Sequence, residues 1–319
     1  MPPALTATPP SLRRRTLALG LGALGLWPGA APSLSARRLE FPRDHGSHPE
    51  LRTEWWYMTG HAQAAGRLWG FQVTFFRSRV DGTQGLRSAF AAKQLLFAHA
   101  AITDVASGRL HHDQRIARAW PGVAQASEAD TGLLLQGWSL TRSALGQGSR
   151  YTARVEGDTL GLHLDCDTTQ PVLLQGREGL SRKGPEAVQA SHYYSQPQLA
   201  VQAALTLDGR ARTLPGRGWL DHEWSDVLMH PEAVGWDWIG MNLDDGSALT
   251  AFRLRRRDGS ALWVGGSWRA SGGAVQAFGP QDVRFTPGRV WTSPRSGGRY
   301  PVQWTLDTPA GRFEVASLL

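Results

Sequence analysis

Cysteine is almost absent from this chain: Cys166 stands alone among 319 residues, so no intramolecular disulfide can form. Several catalytic spacings are missing as well. The chain contains no Cys-x-x-Cys, no His-Glu-x-x-His, no Gly-rich phosphate loop and no Gly-x-Ser-x-Gly elbow. These absences argue against a thiol redox centre, a zincin, a nucleotide-binding P-loop and a serine-hydrolase triad. Beyond the N-terminal region no apolar run is long enough to cross a bilayer as a helix. Amphipathic helical periodicity is scarce too, and Leu86 to Ala98 is the one stretch that could hold a helix. Formal net charge is +7, but Arg13, Arg14 and Arg15 lie in a segment without acids, and the other basic residues alternate with acidic ones. No nucleic-acid partner is expected from that distribution.

The N-terminus reads as a leader. Three arginines precede an apolar run from Ala18 to Trp27, and small residues follow through Ala36. A charged n-region, a short h-region and a small-residue cleavage zone mark residues 1–36 as an export signal, and the paired arginines resemble a twin-arginine signal. A periplasmic or secreted location is expected. After residue 50 an alternation of period two dominates, as in Phe71, Val73 and Phe75, or Leu199, Val201 and Ala203. Asp208-Gly209, Asp245-Gly246 and Asp258-Gly259 punctuate it as tight hairpin turns. Cys166 ends an alternating run from Leu160 and reads as an inward-facing core thiol. The fold class predicted is all-β, built from successive hairpins, and Gln175 to Gln189 is the best interruption of the strand pattern. Domains are therefore placed at 37–180 and 181–319.

Fourteen tryptophans are the richest feature, and they collect beside ionisable groups. Glu54-Trp55-Trp56-Tyr57-Met58-Thr59-Gly60 carries an aromatic on each face of a strand, which predicts cover on both sides. Glu54 would lie among aromatics, either tied to an Arg or a backbone amide or serving a site. Ser191-His192-Tyr193-Tyr194-Ser195 is a second polar–aromatic patch. In Trp219-Leu220-Asp221-His222-Glu223-Trp224-Ser225, an extended backbone sends Asp221 and Glu223 one way and His222 and Trp224 the other. In Gly235-Trp236-Asp237-Trp238 the indoles share a face, and Asp237 joins them only if the strand is bulged. His45, His48, His111, His112 and His192 are too scattered to suggest a metal set.

Taken together, in this order, the four motifs resemble the AttH-type lipocalin-like family, often labelled secreted hydrolase and related to carotenoid 1,2-hydratases. The resemblance runs from about Phe41 to the C-terminus. It implies two lipocalin-like antiparallel β-barrel domains packed together. Relatives continue past the equivalent of Val315, so an incomplete second barrel is expected. In the hydratase branch an acid protonates an alkene and water captures the tertiary carbocation. The His-x-Trp element of that branch matches His222 and Trp224, whereas its aromatic-x-Asp element has no counterpart of the same spacing, since Asp237 directly follows Trp236.

The expected partner is a lipophilic, isoprenoid-like molecule, with inner-membrane association arising through the substrate or transport partners. In the enzymatic reading the candidate catalytic residues are Asp221, His222 and Asp237. Glu54, Trp56, Tyr57, Tyr193, Trp219, Trp224, Trp236 and Trp238 would line the ligand site. No metal and no cofactor are expected. The alternatives are a non-catalytic periplasmic carrier of a lipid or hydrophobic metabolite, and a secreted hydrolase.

Overall fold

A computed structural model describes residues 34–227 and 229–319. Residues 1–33 of the expected export signal lie outside them. Among the described residues the chain is all-β, with only two 3-10 turns, Arg43–His45 and Asp81–Thr83. The first half contains β1 (Thr53–Ala64), β2 (Arg67–Arg79), β3 (Gln94–Asp104), β4 (Arg109–Arg118), β5 (Ala124–Ala126), β6 (Gly132–Leu135), β7 (Trp138–Leu145), β8 (Gly148–Glu156) and β9 (Leu160–Asp167). Two short strands, β10 (Leu173–Leu174) and β11 (Leu180–Arg182), precede the long pair β12 (Ala190–Leu207) and β13 (Arg210–Ser225).

All thirteen belong to one antiparallel sheet, ordered β4-β3-β2-β1-β13-β12-β9-β8-β7-β6-β5, with β10 and β11 both pairing to β12. The sheet curls almost closed. Gln136 Nε2 reaches the Ile116 carbonyl at 3.4 Å, and the Arg115 guanidinium lies 4.9 Å from the centroid of the Trp138 ring, so β4 meets the β6–β7 side. Alternate residues fill the interior, among them Trp56, Met58, Val73, Phe75, Ile102 and Leu140, none more than 1% exposed. Each such aliphatic or Phe side chain contributes roughly 1.5–3 kcal/mol by leaving water. Cys166 is among them, with its Sγ 3.6 Å from Met58 Sδ, and burial pushes its thiol pKa well up. At the β12–β13 turn Asp208 and Gly209 both take positive φ, the requirement of a two-residue hairpin loop.

The remaining strands are β14 (Gly235–Asn242), β15 (Ala248–Arg255), β16 (Ala261–Arg269), β17 (Val275–Phe278), β18 (Arg284–Pro287), β19 (Val290–Thr292), β20 (Arg299–Pro301), β21 (Gln303–Thr308) and β22 (Gly311–Ala316). They form antiparallel sheets of four, three and two strands: β14-β15-β16-β17, β18-β21-β22 and β19-β20. Leu249, Ala251, Val264, Phe278, Phe285 and Leu306 make a second core between the larger two.

Three expectations shift. Leu86 to Ala98 is not helical: residues 86–93 are loop, and Gln94 opens β3 against Arg79. Burial of Leu96, Ala98, Ala100 and Ile102 recurs every second residue, the strand period, and that pattern decides the conformation. The expected domain division at 180/181 falls within β11, a strand of the large sheet, and the change of sheet comes at 226–234 instead. Finally, β1 is fully covered only on its inner face, because Trp55, Tyr57 and Thr59 on the outer face stay half-buried.

Candidate active site

β13 is the partition on which the site is built. It pairs with β1 so that Glu54 lies opposite Trp224, Trp56 opposite His222 and Tyr57 opposite Asp221. On its other side Ser195 lies opposite Asp221 and Tyr194 opposite His222. Alternation then sends His222 and Trp224 into the barrel, and Asp221, Glu223 and Trp219 toward the β14–β17 sheet. Two buried polar clusters result, back to back.

The inner cluster is centred on Glu54, which is fully buried. Its Oε2 accepts from Ser47 Oγ (2.9 Å), the His48 amide (2.9 Å) and Arg77 Nε (2.8 Å). Its Oε1 meets His48 Nδ1 at 2.7 Å and His222 Nε2 at 3.0 Å. Burial alone would raise the Glu54 carboxyl, but the bonds from His222 and His48 outweigh it and hold the group well below the usual carboxylate range. Asp44 is held low in the same way by Arg37 and by His48 Nε2 at 3.0 Å. Burial works to lower His48, yet its position between two carboxylates leaves it above its ordinary value. His222 goes the other way: burial takes it down to about 4 despite Glu54.

Those protonation states make the hydrogen bonds consistent. Cationic His48 donates to both Asp44 and Glu54, while neutral His222 donates from Nε2 to Glu54. The Tyr194 hydroxyl can then donate to His222 Nδ1, 3.2 Å away, and accept from His45 Nδ1 at 2.8 Å. The rings are packed as tightly as the polar atoms. His48 stacks on Trp224 with centroids 4.0 Å apart, and His222 stacks on Trp56 at 4.5 Å. Among the described residues, His48, Glu54 and His222 place three ligand atoms within 4.8 Å of one another, a set that could hold a metal ion. Glu54 Oε1 already serves both imidazoles, however, and Arg77 sets a positive charge beside the same carboxylate, so the field opposes a second cation.

The outer cluster is centred on Asp221. Ser195 Oγ donates to its Oδ1 at 2.6 Å, and Trp219 Nε1 donates to the same oxygen at 2.7 Å. Gln175 Nε2 fixes the Ser195 rotor from behind at 2.8 Å and reaches Thr250 Oγ1 of the second sheet at 2.9 Å. With Oδ1 accepting twice, an acid proton belongs on Oδ2. Burial pushes the Asp221 carboxyl up to about 7, against the hydrogen bonds from Ser195, Trp219 and Tyr193 that favour the anion. Aromatic rings surround it: Trp238 packs edge-on against Tyr57 (5.7 Å) and Trp219 (6.4 Å), and its Nε1 donates to Tyr193 OH at 3.2 Å. Beside it Lys183 Nζ pairs with Glu223 at 2.9 Å and lies over the Tyr193 and Phe252 rings.

Asp221, His222 and Asp237 do not converge. His222 is inside the barrel and Asp221 outside it. β14 pairs with β15 without a register shift, so Asp237 faces away from Trp236 and Trp238. It is salt-bridged to Arg253 (2.8 Å) and Arg255 (3.0 Å). The expected ligand-site residues divide in the same way. Glu54, Trp56 and Trp224 belong to the inner cluster, Tyr57, Tyr193, Trp219 and Trp238 to the outer one, and Trp236 is 56% exposed at the rim.

The AttH-like family matches residues 32–319. The chain belongs to the AttH-like family. A crystal structure of an AttH protein from Nitrosomonas europaea is similar with a TM-score of 0.81 and 41% identity, over 89% of this chain and 86% of that one. Kievitone hydratase from Nectria haematococca is similar with a TM-score of 0.65 and 14% identity, over 83% of this chain and 76% of that one, a likeness of fold. No protein of curated function matches.

Several residues of the two clusters carried no signal of their own in the sequence: Asp44, Arg77, Ser195 as the partner of Asp221, Gln175, and Tyr151, whose hydroxyl lies 3.4 Å from His45 Nδ1. What marked Asp44 was its neighbourhood, the dense polar run Arg43-Asp44-His45-Gly46-Ser47-His48 just before β1. Its histidines looked scattered because β1 and β13 are far apart in sequence.

The buried imidazoles give the AttH-like fold an acid limit. Burial lowers His45 to about 3 and both His192 and His222 to about 4. As pH falls below about 6.5, the unfolded chain takes up these protons first, and stability is lost down to about pH 4. Asp221 works in the opposite sense, since its native form keeps a proton up to about pH 7. Three groups against one should make the melting temperature drop steeply between pH 6.5 and 4, followed by Trp fluorescence. A melting temperature that is flat or rises across that window would contradict the assignment of neutral buried histidines.

Proposed function

We propose that this AttH-like chain is an exported protein that takes up a lipophilic, isoprenoid-like molecule and adds water across one of its carbon–carbon double bonds, with Asp221 as the acid. The observation that carries the reading is a buried carboxyl, raised to about 7, walled by Trp219, Trp238, Tyr57 and Tyr193. Alkene hydration asks for that combination. A neutral acid must give up a proton near neutral pH, and aromatic faces must stabilise the cation that follows. Likeness in fold to a protein named as a hydratase supports the same class.

In this scheme the O–H bond at Oδ2 of Asp221 breaks and its proton adds to the less substituted alkene carbon. The π pair forms the new C–H bond, leaving a tertiary carbocation. Water attacks that carbon, and the Asp221 carboxylate takes the surplus proton, so the product is a tertiary alcohol and the acid is restored. His222, on the opposite side of β13, holds Glu54 and Tyr194 rather than the water. Asp237 keeps its arginines.

Incubation in D2O with a terminal isoprenoid alkene tests the proposal directly. The expected product is a tertiary alcohol with one deuterium on the former terminal carbon, read by mass spectrometry. Tight quenching of Trp fluorescence by the alkene without any alcohol would leave the carrier reading in place of the enzymatic one. Export rests on the Arg13 to Ala36 pattern, and recovery of the chain from the cytoplasm alone after cell fractionation would refute it.

A further inference from the structure

The outer face of the large sheet carries an apolar row that is left part-exposed among the described residues. In register across β1, β2, β3 and β4 stand Trp55, Phe76, Phe97 and Ile116. Phe76 and Phe97 stack at 4.6 Å. The first three are half-buried, and Ile116 is 65% exposed. At its inner end Trp55 lies opposite Glu223, which Lys183 holds, and Tyr57, two residues along β1 on the same face, lies opposite Asp221. At its outer end it meets the loop between β2 and β3, which bears Leu86 and Phe90, and the nearby Trp120. Phe90, 78% exposed, is held by Arg118, whose guanidinium lies 5.5 Å from that ring and 4.5 Å from the Trp120 ring while donating to the Ala89 carbonyl at 3.3 Å. A loop pinned from beneath with its phenyl ring turned to water is a built feature.

The charges of the loop and its support that lack a carboxylate partner share one sign. Arg87 and Lys93 lie in the loop and Arg118 beneath it, and none has a carboxylate at salt-bridge distance among the described residues. The nearby acids are taken: Asp81 pairs with Arg79, and Asp113 with Arg115 at 3.0 Å. A second copy related by a two-fold axis would set these cations against themselves. Exposed Phe, Leu, Ile and Trp within a cationic rim fit an anionic bilayer surface, where the apolar tips enter the acyl boundary and the guanidinium and ammonium groups meet lipid phosphates.

We propose that Leu86, Phe90, Ile116 and Trp120 dock this protein on an anionic lipid surface, and that the Phe97–Phe76–Trp55 row leads a membrane-dissolved chain to Asp221. The docking stands independently of the reaction, whereas the delivery to Asp221 rests on the function proposed above.

The test is sedimentation of the full chain with vesicles of phosphatidylcholine, with and without phosphatidylglycerol. Binding to the anionic vesicles should be at least about tenfold tighter and should weaken at high salt. The Leu86→Ser/Phe90→Ser variant should bind about tenfold or more weakly with its melting temperature unchanged, since both side chains are exposed. The apolar Ala18 to Trp27 segment is common to both proteins, so the difference between them reports the patch. Equal binding by the variant, or no preference for the anionic vesicles, overturns the proposal. So does a dimer in solution that the substitutions dissolve while vesicle binding is absent. Hydration of a detergent-solubilised alkene is read separately, so failure of the chemistry and failure of the docking can be told apart.

Discussion

Replacing Glu54 with alanine should cost the fold about 3–5 kcal/mol, enough to lower the melting temperature by roughly 10 °C. The carboxylate is fully buried and receives bonds from Ser47, the His48 amide, His48 Nδ1, Arg77 and His222. Its removal leaves the Arg77 guanidinium and the His48 imidazolium facing each other, with Asp44 the remaining carboxylate of the cluster. Uncompensated charge inside a barrel is far more costly than a lost pair at a surface. Glu54→Gln keeps the shape and some of the bonds, so it should fall between wild type and alanine. Near-UV circular dichroism against temperature would measure both. A change below about 1 kcal/mol for alanine would mean that water reaches this cluster and the charges are not truly desolvated.

Asp221→Asn should lower the hydration rate by about 10²–10⁴-fold, the usual worth of a positioned general acid. Affinity for the alkene should stay within about threefold, because the aromatic wall of Trp219, Trp238, Tyr57 and Tyr193 is untouched. Asparagine retains an oxygen for Ser195 and Trp219, so the surroundings keep their bonds while the transferable proton is gone. The control is Asp237→Asn, which breaks the ion pairs to Arg253 and Arg255 and should move stability rather than turnover. Rates from product formation and affinities from Trp quenching separate the two effects. Turnover by Asp221→Asn within tenfold of wild type would remove Asp221 from the proposed role.

The apparent contest between Asp221 and Asp237 shows where reading residues in order reaches its limit. Both acids sit beside tryptophans, and both alternate with them along a strand. Their difference comes from neighbours that are distant in sequence. Asp237 finds two arginines across one β14–β15 ladder, whereas Asp221 finds a serine, an indole and a second sheet that shuts out water. Likewise Glu54 was legible as either an Arg-tied structural group or a site residue, and the barrel makes it a hub by bringing His222 to it across 168 positions.

The strand period, the Asp-Gly turns, the inward thiol, the family motifs and the opposite facing of Asp221 and His222 follow from the order of residues. Each of these is set within a few residues by backbone geometry. Tertiary structure alone decided which strands became neighbours, that β12 and β13 complete the first sheet, and which carboxyl loses its water without gaining a cation. Pairing register and desolvation depend on the packing of the whole sheet, and no local pattern encodes either.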